Sequence, residues 1–96
     1  MQKDIFKTME PEMKILGVTP EELRSRNRSN RLADARSMMA AILIKEPDVH
    51  QVDIADLYGF SQVAVSKMLT RHKLLLRVNR DYRNRFTQLQ DERRPQ

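Results

Sequence analysis

The stretch Gln51–Thr70, QVDIADLYGFSQVAVSKMLT, restricts the fold more than any other part of the chain. Ala55, Gly59 and Val65 fall within it at the offsets that let two helices be joined by a tight turn and packed on one another. Each residue type has a mechanical reason. Where the second helix crosses the first, the side chain must be small, which suits Ala55. The turn needs a residue at ease with positive φ, which suits Gly59. The second helix must press an apolar group back against the first, which suits Val65. Ile54, Ala55, Tyr58, Phe60, Val65 and Met68 are expected to face inward, and Gln51, Ser61, Gln62, Ser66, Lys67 and Thr70 outward. The stretch therefore reads as a helix-turn-helix.

The flanking sequence supplies helices to surround that pair. Ile5, Met9, Met13 and Leu16 recur at helical spacing. Pro11 either kinks this segment or opens a second short helix, and Gly17 suits a C-terminal cap. Thr19-Pro20-Glu21-Glu22 has the form of a capping box, opening a short helix through Leu23. The run from Arg24 to Arg31, RSRNRSNR, holds four arginines and no acid, too polar for a core element. Asn30 is suited to cap a helix over about 31–45, with Leu32, Ala35, Met39, Ile42 and Leu43 along one side. Its alanines allow close approach, so this is the expected central helix, ended by Pro47.

After Thr70, the residues Leu75, Val78, Tyr82, Phe86 and Leu89 form an apolar stripe at helical spacing. It reads as a final helix folded back over the core. The alternatives are the seam of a homodimer, or of an assembly formed on DNA, and the partner-binding surface of a protein-interaction adaptor that keeps the helix-turn-helix only as a scaffold. A small domain needs such apolar area for itself, which favours the core. Residues Asp91 to Gln96 should fray, leaving 1–92 as one domain and 93–96 as a disordered tail. With two glycines and no alternating strand pattern, the expected class is all-α, a bundle of five to six helices.

A chain of 96 residues holds one core but no separate catalytic domain. Its 18 Lys and Arg against 13 Asp and Glu give a formal charge of +5, which favours an acidic partner such as nucleic acid. Without cysteine, thiolate metal sites and disulfides are excluded. No apolar run approaches a membrane span, and the start MQKDIFKTME lacks the long apolar region of a signal peptide, so a cytoplasmic, nucleoid-associated protein is expected. His50 and His72 are far apart in sequence, with His72 expected on the basic surface. Asp53 and Asp56 suit capping and solvation, Glu21 and Glu22 belong to the cap, and the six methionines fill the core. No catalytic group, metal or cofactor is expected.

The run from Leu16 to Glu46, LGVTPEELRSRNRSNRLADARSMMAAILIKE, resembles the C-terminal DNA-binding domain of the bacterial replication initiator DnaA. That family shows a capped "DLL" or "EELL" turn, a basic loop of the "SKSRKR" kind and an "ARQIAMYL" helix. Thr19 to Leu23, Ser25 to Arg31 and Ala35 to Leu43 correspond to them, and the likeness extends over about residues 5–89. It implies a Trp-repressor-like helical fold and double-stranded DNA binding, in replication or transcription. By position it implies that Arg28 enters the minor groove and that Arg36 contacts DNA, with Ser37 standing where the family has glutamine. The family signature G-G-R-D-H-T-T-V is replaced by Gly59-Phe60-Ser61-Gln62-Val63-Ala64-Val65, one residue shorter and without His or Thr. The likeness therefore implies a familiar scaffold with altered specificity. The chain has no Gly-rich phosphate loop ending in Gly-Lys-Ser or Gly-Lys-Thr, so the ATPase motor of the initiator is missing from it.

The residues themselves suggest how such a domain would dock. A recognition helix over about 61–72 would set its first turn deepest in the major groove. Gln62 would pair with the N6 and N7 edge of adenine, and Val63 or Ala64 would touch a thymine methyl. Ser66, Lys67, Thr70 and Arg71 would lie toward the groove wall and phosphates. Gln51, at the start of the first helix, would clamp a phosphate. Arg26 and Arg31 accompany Arg28 on the basic loop. Between Leu57 and Arg80 there is no acid, but Lys67, Arg71, Lys73 and Arg77 are basic.

Overall fold

Helix α3 (Asn30–Leu43) is the axis of the molecule in the computed structural model, which describes residues 8–93. From Ala35 to Leu43 every residue of α3 is buried, the pattern of a helix covered on all sides. Small side chains at Ala35, Ala40 and Ala41 let its neighbours approach closely. Ser37 is fully buried, and its hydroxyl is satisfied by donation to the Ala33 carbonyl at 2.9 Å. The cap is Ser29 rather than Asn30: Ser29 Oγ accepts from the Leu32 N–H at 3.4 Å, and Asn30 is the first helical residue. The helix ends at Leu43, ahead of Pro47, where Glu46 N–H turns back to the Leu43 carbonyl.

Five further helices surround it: α1 (Glu10–Leu16), α2 (Pro20–Arg24), α4 (Gln51–Tyr58), α5 (Gln62–Val78) and α6 (Arg80–Arg93). Pro11 lies in the first turn of α1, where no backbone N–H is needed. The Ile5 end of the expected N-terminal stripe lies outside the described residues. Gly17 closes α1 with φ 67°, and Val18 N–H reaches back to the Met13 carbonyl at 3.1 Å. The capping box of α2 is complete: Glu22 N–H donates to Thr19 Oγ1 and Thr19 N–H to Glu22 Oε1, each at 3.1 Å.

The C-terminal stripe is divided between two helices, which corrects the expectation of one. Helix α5 continues past Thr70 to Val78, carried by the helix-forming run Lys73–Leu76. Asn79 leaves the helical conformation at φ −124° and ψ 106°, and its side-chain oxygen accepts from the Tyr82 N–H at 3.0 Å, opening α6. Leu75 is thus partly buried from α5, Val78 is 68 % exposed at the corner, and Tyr82, Phe86 and Leu89 are buried from α6. Helix α6 packs against α1, α3 and α5, so these three residues complete the core of a single chain. It runs on to Arg93, so Asp91 and Glu92 lie within the helix, and residues 94–96 of the expected tail lie outside the described residues. The described residues are all-α, with six helices and no strand among them.

Candidate nucleic-acid interface

Helices α4 and α5 are joined by the turn Gly59–Ser61. Ile54, Ala55, Tyr58 and Val65 are buried, as the residue pattern requires. Gly59 has φ 72°, and Phe60 N–H donates to the Ala55 carbonyl at 2.9 Å, ending α4 in the left-handed form that glycine permits. Ser61 caps α5, its Oγ accepting from the Ala64 N–H at 3.1 Å. Phe60 and Met68 are only partly buried, because both line a cleft beside the turn. At the other end of α4, His50 N–H donates to Asp53 Oδ2 at 2.8 Å. The phosphate clamp expected of Gln51, which is partly buried, would share this helix end with the Asp53 carboxylate.

Along α5 the exposed residues are Gln62, Val63, Ser66, Lys67, Thr70, Lys73, Leu74, Arg77 and Val78. At 100° per residue they fill one continuous arc of roughly 160°, and the other side faces the protein. No residue of that arc is acidic. Arg71 lies at its edge, partly buried, with Nη2 2.8 Å from Asp34 Oδ1. Helix α5 is about 25 Å long, twice the roughly 12 Å width of a major groove. It is thus longer than the recognition segment expected over 61–72.

Arg36 occupies a position unlike that of a surface contact. It is 5 % exposed. Its Nε donates to the Leu23 carbonyl at 2.9 Å, its Nη1 to the Asn27 carbonyl at 2.9 Å, and its Nη2 to the Glu22 and Ser25 carbonyls at 3.0 and 2.7 Å. The guanidinium carbon lies 5.2 Å from the centre of the Phe60 ring. Burial pulls the guanidinium pKa down from its ordinary value, but the group stays protonated and its N–H groups are satisfied by the carbonyls. The direct DNA contact implied for Arg36 is therefore corrected: its fork is turned inward and spent on backbone oxygens.

The basic loop and the α4–α5 turn form opposite walls of a cleft of about 450 Å³, lined by Ser25, Arg26, Asn27 and Arg28 on one side and Phe60, Ser61 and Ala64 on the other. Arg26 and Arg28 are exposed on this loop. Arg31 is set apart from them, with Nη1 on the Gly17 carbonyl at 2.8 Å and Nη2 on Glu22 Oε2 at 2.6 Å. That hydrogen bond holds the Glu22 carboxyl below its ordinary pKa. Arg24 Nε donates to the Leu57 carbonyl at 3.1 Å, fastening the loop to the C-terminal end of α4.

His72 is buried at the base of α5, which corrects its expected position on the basic surface. Its Nδ1 lies 2.7 Å from the Tyr82 hydroxyl, and its ring meets Phe86 edge-on at 4.4 Å. Burial first, and then the positive charge of Lys45, lower its pKa to about 4, so the ring is neutral near pH 7. The signal for this lay in the sequence: His72 is seven residues after Val65, two helical turns along the same inward face. Asp34, which holds Arg71, gave no such signal, because the two are far apart in the chain.

Among the described residues no group of three or more His, Asp or Glu could hold a metal ion, and no helix is long and apolar enough to cross a membrane. No protein-family model, curated protein or solved structure matches the chain.

Proposed function

We propose that the chain is a sequence-specific binder of double-stranded DNA. In this reading α4 and α5 form a helix-turn-helix, and the outward face of α5 enters the major groove. The exposed loop arginines meet the flanking minor groove and phosphates. It is a DnaA-like regulator of replication or transcription. The observation that supports it is the pairing of two surfaces across one cleft, the loop carrying Arg26 and Arg28 and the acid-free first turns of α5. Both surfaces are available to one rod-shaped polyanion at once.

Within this reading Gln62 and Val63 read bases, with Val63 (65 % exposed) meeting a thymine methyl. Ser66, Lys67 and Thr70 follow toward the groove wall. Thr70 Oγ1 donates to the Ser66 carbonyl at 3.1 Å, leaving its oxygen to accept from a base amine or a water. Ser61 meets DNA through its capped backbone, and Arg71 and Arg31 contribute through space while tied to Asp34 and Glu22.

Selection of bound duplexes from a random pool tests the proposal. One enriched sequence, with binding that weakens steeply as salt rises, is the expected result. Gln62→Ala should relax the consensus at one base position at a cost of about 1 to 3 kcal/mol. Arg28→Ala should weaken binding most where the flank is a narrow A·T-rich minor groove. A pool that enriches nothing, or an unchanged consensus for Gln62→Ala, refutes this docking.

A further inference from the structure

We propose that Arg36 is a positioning residue that fixes the basic loop at a set distance from the first turn of α5, so that flank and base contacts are read as one unit. This rests on the DNA-binding reading above and goes beyond it. Arg36 projects from the most buried helix of the molecule, and its guanidinium gathers the carbonyls of Glu22, Leu23, Ser25 and Asn27, which lead into the basic loop. Its other neighbour is Phe60, the residue immediately before the Ser61 cap of α5. The Arg36 carbonyl also accepts from the Tyr58 hydroxyl at 3.0 Å, tying the end of α4 to the same point. Both walls of the cleft therefore meet at one side chain and its own backbone.

The other bonds of the loop anchor its two ends, Ser25 on the Glu22 carbonyl at 2.7 Å and Ser29 on the Leu32 N–H at 3.4 Å, and do not reach the α4–α5 turn. The loop's local bonds are short-range: Asn27 N–H to Ser25 Oγ at 3.3 Å and Ser29 N–H to Asn27 Oδ1 at 2.9 Å. Arg24 fastens only the start of the loop. A lysine at 36 would keep the charge but lacks the planar fork that spans several carbonyls. The spacing between Arg28 and Gln62 is then a property of Arg36 rather than of the loop sequence.

The test is a cycle of Arg28→Ala in the wild-type and Arg36→Lys backgrounds, read on duplexes with the same core site and either A·T or G·C flanks. In the wild type, Arg28→Ala should cost about tenfold more affinity on the A·T flank than on the G·C flank. In Arg36→Lys that difference should fall below about twofold, with discrimination at the Gln62 base kept. An Arg28→Ala cost that is the same in both backgrounds overturns the proposal. If Arg36→Lys fails to fold by circular dichroism, Phe60→Leu replaces it, keeping the apolar volume while removing the ring beside the guanidinium. The same loss of flank dependence is expected, and its absence is again decisive against the proposal.

Amide exchange on the free protein gives an arm that needs no DNA. In Arg36→Lys, or in Phe60→Leu if the lysine variant does not fold, exchange should quicken at the bonded N–H groups of Ser25, Asn27 and Ser29 and of Phe60 and Ala64 together, with Met39 and Ala40 still protected. Quickening confined to the loop, or spread equally through the core, overturns the coupling. A wild type that binds no duplex sinks the DNA-binding reading, whereas the exchange arm still decides whether Arg36 couples the two walls.

Discussion

Replacing His72 by Asn should flatten the acid side of the stability curve. The imidazole is buried at the α5–α6 junction, and burial with Lys45 nearby lowers its pKa from 6.5 to about 4. Tyr82 stays protonated, since burial and the Asp34 carboxylate raise its pKa, and so donates to the neutral ring. As pH falls, the unfolded chain takes up the proton first, because there the imidazole has its ordinary affinity. The stability contributed by the neutral ring is thus complete above pH 6.5, declines from there to about pH 4, and is gone below the folded value. The whole gap corresponds to ~3 kcal/mol at about 1.4 kcal/mol per pH unit. Relaxation at a helix junction reduces it, and about 2 kcal/mol lost by pH 4.5 is the expectation. Asn leaves an oxygen near the site of Nδ1 and does not titrate. Urea unfolding followed by far-ultraviolet circular dichroism, on both proteins from about pH 7.5 to 4.5, measures the difference. The carboxylates, including the Glu22 carboxyl held low by Arg31, titrate in both and cancel. Parallel stability curves for the two proteins would refute the assignment of the acid slope to His72.

Gly59→Ala should cost about 1 kcal/mol in chemical unfolding, for the left-handed backbone alone, because an added Cβ meets nothing within 4 Å. A cost above roughly 3 kcal/mol would mean that the turn cannot relax as argued. Tyr58→Phe keeps the buried ring but loses the 3.0 Å bond to the Arg36 carbonyl, and about 1 kcal/mol of stability is expected to go with it. No change would make that bond energetically neutral. For DNA binding, the exposed Arg26, Arg28, Lys67, Lys73 and Arg77 set a slope of log affinity against log salt no steeper than roughly −4 to −5, at about −0.9 for each phosphate neutralised. A slope near about −6 would show that Arg31 and Arg71 abandon Glu22 and Asp34 on binding.

The fold was legible where one local rule decided the outcome. Gly17 and Gly59 both end helices with positive φ, and Thr19 with Glu22 closes its cap, because these are interactions between residues close in sequence. The buried character of α3 followed from its run of alanine, methionine and leucine. Two of the misreadings, at the α3 cap and in the C-terminal stripe, come from competition between equivalent local signals. Ser29 and Asn30 are both good caps, and only the loop conformation, held by Asn27, selects Ser29. The stripe from Leu75 to Leu89 keeps helical spacing across Asn79, so periodicity could not reveal the break that the Asn79 side chain stabilises. Arg36 was the hardest to read. A family likeness marks it for DNA, while its burial depends on where the carbonyls of a loop nine to fourteen residues earlier come to rest.

The arginines explain how a chain with few aromatic residues and no cysteine holds its short helices in register. Arg24 joins the loop to α4, Arg31 joins α3 to the end of α1 and to α2, Arg36 joins α3 to the loop and the turn, and Arg71 joins α5 to α3. Three of these links involve the loop or the short helices α1, α2 and α4, which bury little area by themselves, whereas Arg71 reinforces the packing of the two long helices α5 and α3. A guanidinium suits the task because its fork reaches several acceptors at once while its stem covers apolar surface. The count of 18 basic residues therefore overstates the cations offered to a partner, since these four already face carbonyls or carboxylates. Arg26 and Arg28 remain exposed on one wall of the cleft, and Lys67, Lys73 and Arg77 on the outward arc of α5. It is this segregation, structural arginines within and between elements and exposed cations on the loop and α5, that makes the surface directional and gives a charged rod a preferred way to lie on it.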